Sequence, residues 1–155
     1  MKDTKLSRSF KLSEAIKSST AVRLGIDNTP PDEIVPRIAL VAQKILQPVR
    51  DEYGIPITPS SWYRCLELNR ALNSADTSQH IKGRAVDFEV PTIDNLELAY
   101  FVKENLDFDQ LILEFYNPRN PSSGWIHCSY VSEDDNRGEV LTIQPKGILN
   151  AGLPK

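Results

Sequence analysis

Ser78-Gln79-His80-Ile81-Lys82-Gly83-Arg84-Ala85-Val86-Asp87 is the stretch on which the reading of this chain turns. A histidine stands ahead of a glycine turn, and an aspartate follows it in the alternating run Ala85-Val86-Asp87-Phe88-Glu89-Val90. Such alternation predicts a β-strand, with Asp87 on one face beside Ala85 and Glu89 and with Val86 and Phe88 on the other. The chain has two histidines in all, and the second, His127, lies in Trp125-Ile126-His127-Cys128-Ser129-Tyr130. A strand there puts His127 on a face with Trp125 and Ser129. Cys128 then points the opposite way and reads as core rather than as a ligand. Two imidazoles and a carboxylate on rigid strands leave a fourth tetrahedral position for water, which is the layout of a catalytic zinc site. The same donors suit other divalent ions, and a lone His–Asp pair is often structural, so spacing alone leaves both readings open.

Outward from this stretch, the period of the pattern changes. Upstream, apolar residues fall at Ile34, Ile38, Val41, Ile45 and Val49, which predicts the main core helix. Pro36 suits its first turn, Pro48 predicts a kink, and Gly54 predicts a left-handed cap at its end. A short helix is expected over Phe10–Ser19, capped by Ser13. Between the main helix and the motif, Ile55–Ser61 reads as an edge strand because Pro56 and Pro59 would break a central one. Leu66–Leu72 reads as a short helix. Downstream, Asp94 caps a helix to about Asn105. Strands follow over Gln110–Tyr116, Trp125–Val131 and Glu139–Ile143. The first two are joined by the turn-rich loop 117–124 as a long-looped hairpin. Helices first and strands later predict an α+β fold, an antiparallel sheet flanked by helices.

Composition bounds the function. The chain has 155 residues, with Lys+Arg 18 against Asp+Glu 21, enough for one domain and one core. The slight acidic excess and the lack of a Lys/Arg cluster argue against nucleic acid as a partner. No apolar run is long enough to span a membrane, and no apolar segment follows the charged N-terminus as a secretory signal would require. Synthesis in the cytoplasm is therefore expected. Cys65 and Cys128 form neither a disulfide framework nor a C-x-x-C pair.

The motif Ser78-x-His80-x-x-Gly83-x-Ala85-x-Asp87, followed by Trp125-x-His127, resembles the zinc D-Ala-D-Ala carboxypeptidase family of peptidoglycan peptidases, whose fold is shared with the Hedgehog signalling domain. Trp62-Tyr63-Arg64-Cys65 is similar to that family's S-G-Y-R-S segment, and the likeness covers roughly residues 10–131. The resemblance implies zinc held by His80, Asp87 and His127, with peptidoglycan stem peptides as substrate. It implies that Arg64 meets a substrate carboxylate or carbonyl, with Ser78 and Tyr63 beside it. Trp62 and Tyr116 are further candidates for the cleft wall. Many relatives place a glutamate three residues before the second histidine, but Gly124 stands there in this chain. Glu114, on the hairpin partner strand, is the expected general base, with Glu89 next in line. The expected organisation is a flexible N-terminal arm (1–9), a single zinc peptidase domain (10–145) and a C-terminal tail (146–155), in a monomer. Removal of terminal D-Ala is the first expectation. The alternatives are an L-alanyl-D-glutamate endopeptidase, and an inactive zinc-bearing binding or virion structural module. Compactness and the missing signal fit a phage-encoded enzyme acting on the host cell wall after release.

Overall fold

A computed structural model describes residues 3–155. The chain opens with two short antiparallel strands, β1 (Lys5–Ser7) and β2 (Phe10–Lys11). Residues 1 and 2 of the expected flexible arm lie outside the described residues. The remainder is no arm: Leu6 is buried, and β1 lies against the main helix. Strand pairing with β2 and burial of one leucine are enough to fix so short a segment.

The helix expected over Phe10–Ser19 is two helices, α1 (Leu12–Ile16) and α2 (Ser19–Leu24). The break comes at Lys17, whose backbone is extended, and it is Ser18 that caps a helix, accepting from the Ala21 N–H. Ser13 instead binds Asp3.

The main helix runs as α3 (Val35–Val41), a π-helical turn (Ala42–Leu46) and α4 (Gln47–Tyr53), closed by Gly54 at φ 65°. Pro48 has no N–H to offer Lys44. The chain absorbs this by widening the preceding turn, with Gln47 N–H bonding to Ala42 O. The widened turn has a use. The Gln47 side chain, 8% exposed, accepts from Ser7 Oγ and Ser9 N, both at 2.8 Å, and clamps the β1–β2 turn to the helix.

α5 (Leu66–Ala71) begins at Cys65, whose sulfur accepts from Leu68 N. Ile55–Ser61 does not form the expected strand. It makes one bridge, Ser61 to Asp87, because its two prolines leave too few donors for a ladder. β3 (Ala85–Phe88), α6 (Asn95–Asn105, capped by Asp94), β4 (Gln110–Glu114), β5 (Trp125–Ser129), β6 (Glu139–Ile143) and β7 (Leu149–Ala151) complete the chain.

The five-stranded sheet has the order β3-β5-β4-β6-β7. All pairs are antiparallel except β4–β6, which is parallel, so the expected α+β class holds with a mixed sheet. The expected tail is also sheet: β7 extends the edge, and Tyr100 OH donates to Pro154 O at 2.6 Å. One sheet face carries Val86, Phe88, Leu111, Leu113, Ile126 and Cys128, all fully buried against Ile38, Ile45, Leu98 and Val102 of the helices. Each such side chain contributes about 1.5–3 kcal/mol by leaving water. The alternation that buries these residues turns Asp87, Ile112, Glu114 and His127 to the other face, where the cleft lies. No helix among the described residues is long and apolar enough to cross a membrane.

Candidate metal centre

The motif loop is a series of tight turns that ends where β3 begins. Ile81 N–H bonds to Ser78 O, Gly83 N–H to His80 O, and Arg84 N–H to Gln79 O. Gly83 sits at φ +73°, and a Cβ there would lie 2.6 Å from Ile34 Cγ2, so glycine both makes the turn and lets it pack on the main helix. Ser78 lines the cleft, and its Oγ accepts the His80 N–H at 3.2 Å, which ties it to the ligand loop.

His80 is 3% exposed. Its Nδ1 lies 2.6 Å from the Trp62 carbonyl, so that nitrogen carries the proton and Nε2 faces the cleft. Asp87 and His127 are register partners on β3 and β5. Asp87 Oδ1 stands 3.1 Å from His80 Nε2 and 2.9 Å from His127 Nδ1. One ligand atom from each of the three residues fits within a 4.8 Å span.

Burial lowers the His80 pKa, which favours the neutral imidazole a metal requires. Burial pushes Asp87 upward, but the flanking imidazoles and their hydrogen bonds outweigh it and hold the carboxyl well below the usual range. With Nδ1–H committed to Trp62, His80 Nε2 meets Asp87 Oδ1 at 3.1 Å, a pairing that either a proton on Nε2 or a metal ion between the two must bridge. The donor set, its second-shell bond and its protonation all fit a divalent metal such as zinc.

Arg64 stands beside this centre with its Nη2 3.5 Å from Asp87 Oδ2. It is fixed by Nε donating to Ser61 Oγ at 2.8 Å and Nη1 to Asn69 Oδ1 at 3.2 Å. Asn69 is fully buried on α5 and was not picked out from the sequence. The available signal was an asparagine on the inward face of a short helix, next to Leu68.

Glu114 ends β4 opposite Trp125, and its Oε2 accepts the Trp125 indole N–H at 2.7 Å. Burial, and after it the charge of Asp87, raises the Glu114 pKa, which brings a carboxylate base closer to neutrality. Gly124 shows why the carboxylate does not come from three residues before His127. At φ +71°, a Cβ there would lie 2.2 Å from Glu114 O, so no side chain fits.

These groups share a cleft of about 520 Å³. Gln79, Lys82, Gln110 and Arg137 line it as well, and none of them was singled out in the sequence. Arg137 reaches it from the turn before β6, far from any motif. Four expected positions lie elsewhere. Tyr63, expected to touch substrate, is 5% exposed and lines not the metal cleft but an adjoining depression, which shares Arg64 with it, together with Ser19 and Leu68. Trp62 is core, and Tyr116 is turned to Asp94, its OH donating to Oδ2 at 3.0 Å. Glu89, the reserve base, lies past the end of β3, bonds Asn95 and borders a different hollow with Thr58 and Asp94. Cys128 is fully buried, as its strand parity predicted.

A His–Asp–His cluster able to hold a divalent metal, with a carboxylate beside it on an α+β fold, is an arrangement suited to metal-dependent hydrolysis. The family model described as Peptidase M15 matches residues 8–129, most of the chain, and the chain belongs to that family of zinc peptidases. No curated protein matches it.

Proposed function

We propose that this chain hydrolyses peptide bonds in peptidoglycan stem peptides, with the D-Ala-D-Ala carboxypeptidase reaction as the leading case. One observation carries the reading: Glu114 and Arg64 are both held, by bonds to Trp125 and to Asn69 and Ser61, on the walls of the cleft that contains His80, Asp87 and His127. A metal centre needs a positioned base for hydrolysis and a cation for an anionic substrate, and both are prebuilt.

His80, Asp87 and His127 are the residues that would hold zinc, which when bound supplies a Lewis acid for the scissile carbonyl and acidifies a water. Glu114 accepts the proton of the attacking water and passes it to the amine that leaves. The indole N–H of Trp125 holds one oxygen of that carboxylate, so the other is free for the proton. Arg64 offers its remaining N–H groups to a carboxylate of the stem peptide.

The test is purified protein with zinc on a synthetic pentapeptide stem and on peptidoglycan fragments, with mass spectrometry of the products. Release of D-alanine supports the carboxypeptidase reading. A cut between L-alanine and D-glutamate replaces it with the endopeptidase reading. Stoichiometric zinc with no cleavage of any fragment would leave a binding module.

A further inference from the structure

The cleft holds a second arginine that neither the motif nor the family match reaches. Arg137 lies beyond residue 129, where the family model ends. It stands on the turn before β6, yet its side chain lines the same cleft as His80 and Glu114. A surface arginine there would ordinarily be free to move. This one is gripped. Its Nε and Nη2 donate to the two oxygens of Asp109, at 3.0 and 2.8 Å, and its backbone N–H donates to Asp109 Oδ1 at 3.0 Å.

Asp109 is itself 2% exposed. Its Oδ2 also accepts from Gln79 Nε2 at 2.8 Å, and Gln79 is the neighbour of the metal ligand His80. One buried carboxylate therefore sets both the ligand loop and the guanidinium. The guanidinium is not used up by this contact. Its side chain is 55% exposed, and Nη1 makes no hydrogen bond among the described residues, pairing only loosely with Glu139 at 3.8 Å. Lys82 adds a third cation to the same cleft, beside Arg64 and Arg137.

The position is defined by the strand register. Ile112 is the partner of His127, and Gln110, two residues back along β4, pairs with Glu139 beside Arg137. Two strand residues amount to about 7 Å. An extended peptide lying along β4 with its scissile carbonyl at the metal centre thus brings a group about two residues away to Arg137.

We propose that Arg137, oriented by Asp109, is a specificity-determining residue that binds a second carboxylate of the substrate, about two residues from the bond that is cut. The inference deepens the proposed function and depends on it for the identity of the substrate. In a pentapeptide stem cut at its last bond, the residue two before the scissile carbonyl is the γ-linked D-glutamate; its γ-carbonyl lies at about that distance, and its α-carboxylate, three carbons further along a flexible chain, is free in some stems and amidated in others. Arg137 makes the enzyme prefer the free acid.

The probes are two synthetic peptides, L-Ala-γ-D-Glu-L-Lys-D-Ala-D-Ala and the same peptide with the glutamate α-carboxylate amidated. Binding to the zinc-loaded protein is measured by calorimetry, and turnover by D-alanine release, for wild type and Arg137→Gln. Loss of one charge-assisted contact is worth about ten- to a hundred-fold in affinity. Wild type is expected to bind the free acid that much more tightly and to show the difference in KM rather than kcat. Arg137→Gln is expected to bind both peptides alike, at the level of the amidated one. Equal binding of the two peptides by wild type, or undiminished preference in the variant, overturns the inference. The amidated peptide tests wild type alone, so the result stands even if the variant folds poorly. Discrimination in binding without cleavage of either peptide would sink the proposed reaction and leave the Arg137 assignment intact. Cleavage of both without discrimination would do the reverse, and no binding of either would sink both.

Discussion

Three residues at the centre, Glu114, Arg64 and His80, are each held by neighbours outside the proposed chemistry. Trp125 holds Glu114, Asn69 and Ser61 hold Arg64, and the Trp62 carbonyl fixes the His80 tautomer. Glu114→Gln separates base from support. Glutamine is nearly isosteric and still accepts from the indole, but it cannot take a proton from water. The variant should keep its zinc and its melting temperature while kcat falls on the order of 10²–10⁴-fold. Metal analysis, thermal melting and D-alanine release together check this, and turnover within a few-fold of wild type would place the base elsewhere.

Gly124 has the opposite profile, structural in itself and decisive for Glu114. Alanine there meets both a positive φ and a backbone oxygen at 2.2 Å. Strain at such a φ costs about 1–3 kcal/mol before the clash is added. Gly124→Ala should therefore lower the melting temperature by several degrees and reduce turnover, since the Glu114 carbonyl must shift. Gly138, at φ +64° with nothing within 4 Å of an added Cβ, is the control. Gly138→Ala should show the smaller loss of stability, and comparable losses at the two sites would refute the close-approach argument.

At the scale of elements, the sheet is locked to the metal loop through Asp109, at the foot of β4. Hydrogen bonds from Arg137, with burial opposing and Gln79 assisting, hold its pKa down to about 2. A carboxyl lowered in the folded state stabilises it fully above its unfolded pKa of about 4, and that stability drains away as pH falls toward about 2. Urea midpoints measured across this range should drop for wild type. In Asp109→Asn they should start lower near neutrality and fall less steeply, because the group no longer titrates. An unchanged slope in the variant would assign acid sensitivity to other carboxylates. The π-helical turn shows another element-level economy. Pro48 disrupts the helix where Gln47 is needed to clamp the first hairpin, so the defect and the clamp occupy neighbouring positions.

For the whole molecule, the candidate metal ligands come from two regions, a loop docked on the main helix and two adjacent strands. Zinc that binds only when these are assembled must stabilise the fold. At a thousand-fold excess over its Kd the gain is about 4 kcal/mol. For a domain of this size that corresponds to roughly 8–16 °C in melting temperature. Chelation should lower the wild-type melting temperature accordingly and leave His80→Ala unaffected. A wild-type melt that ignores both zinc and chelator would argue against a metal at this centre.

The sequence by itself determined the α+β class, the main helix with its glycine cap, strands over most of their observed ranges, and the likeness to zinc peptidases. It also singled out His80, Asp87, His127, Arg64 and Glu114, which the fold gathers into one cleft. These were legible because helical and strand periods, turn glycines and a spaced motif are local patterns, each readable within a dozen or so residues. Tertiary structure decided the rest. It paired β4 with β6 in parallel, drew segments near both ends of the described chain, Lys5–Ser7 and Leu149–Ala151, into sheets, and left Ile55–Ser61 as a single bridge. It took Tyr63 out of the cleft and put Arg137 into it. It also brought Asn69 and Trp125 up behind Arg64 and Glu114. The physical reason is separation along the chain. Arg137 meets Asp109 across 28 residues, and His127 meets Asp87 across 40. Long-range pairings of this kind leave no period in the sequence. They depend on which faces the core buries, and that is settled only when the sheet closes on its helices.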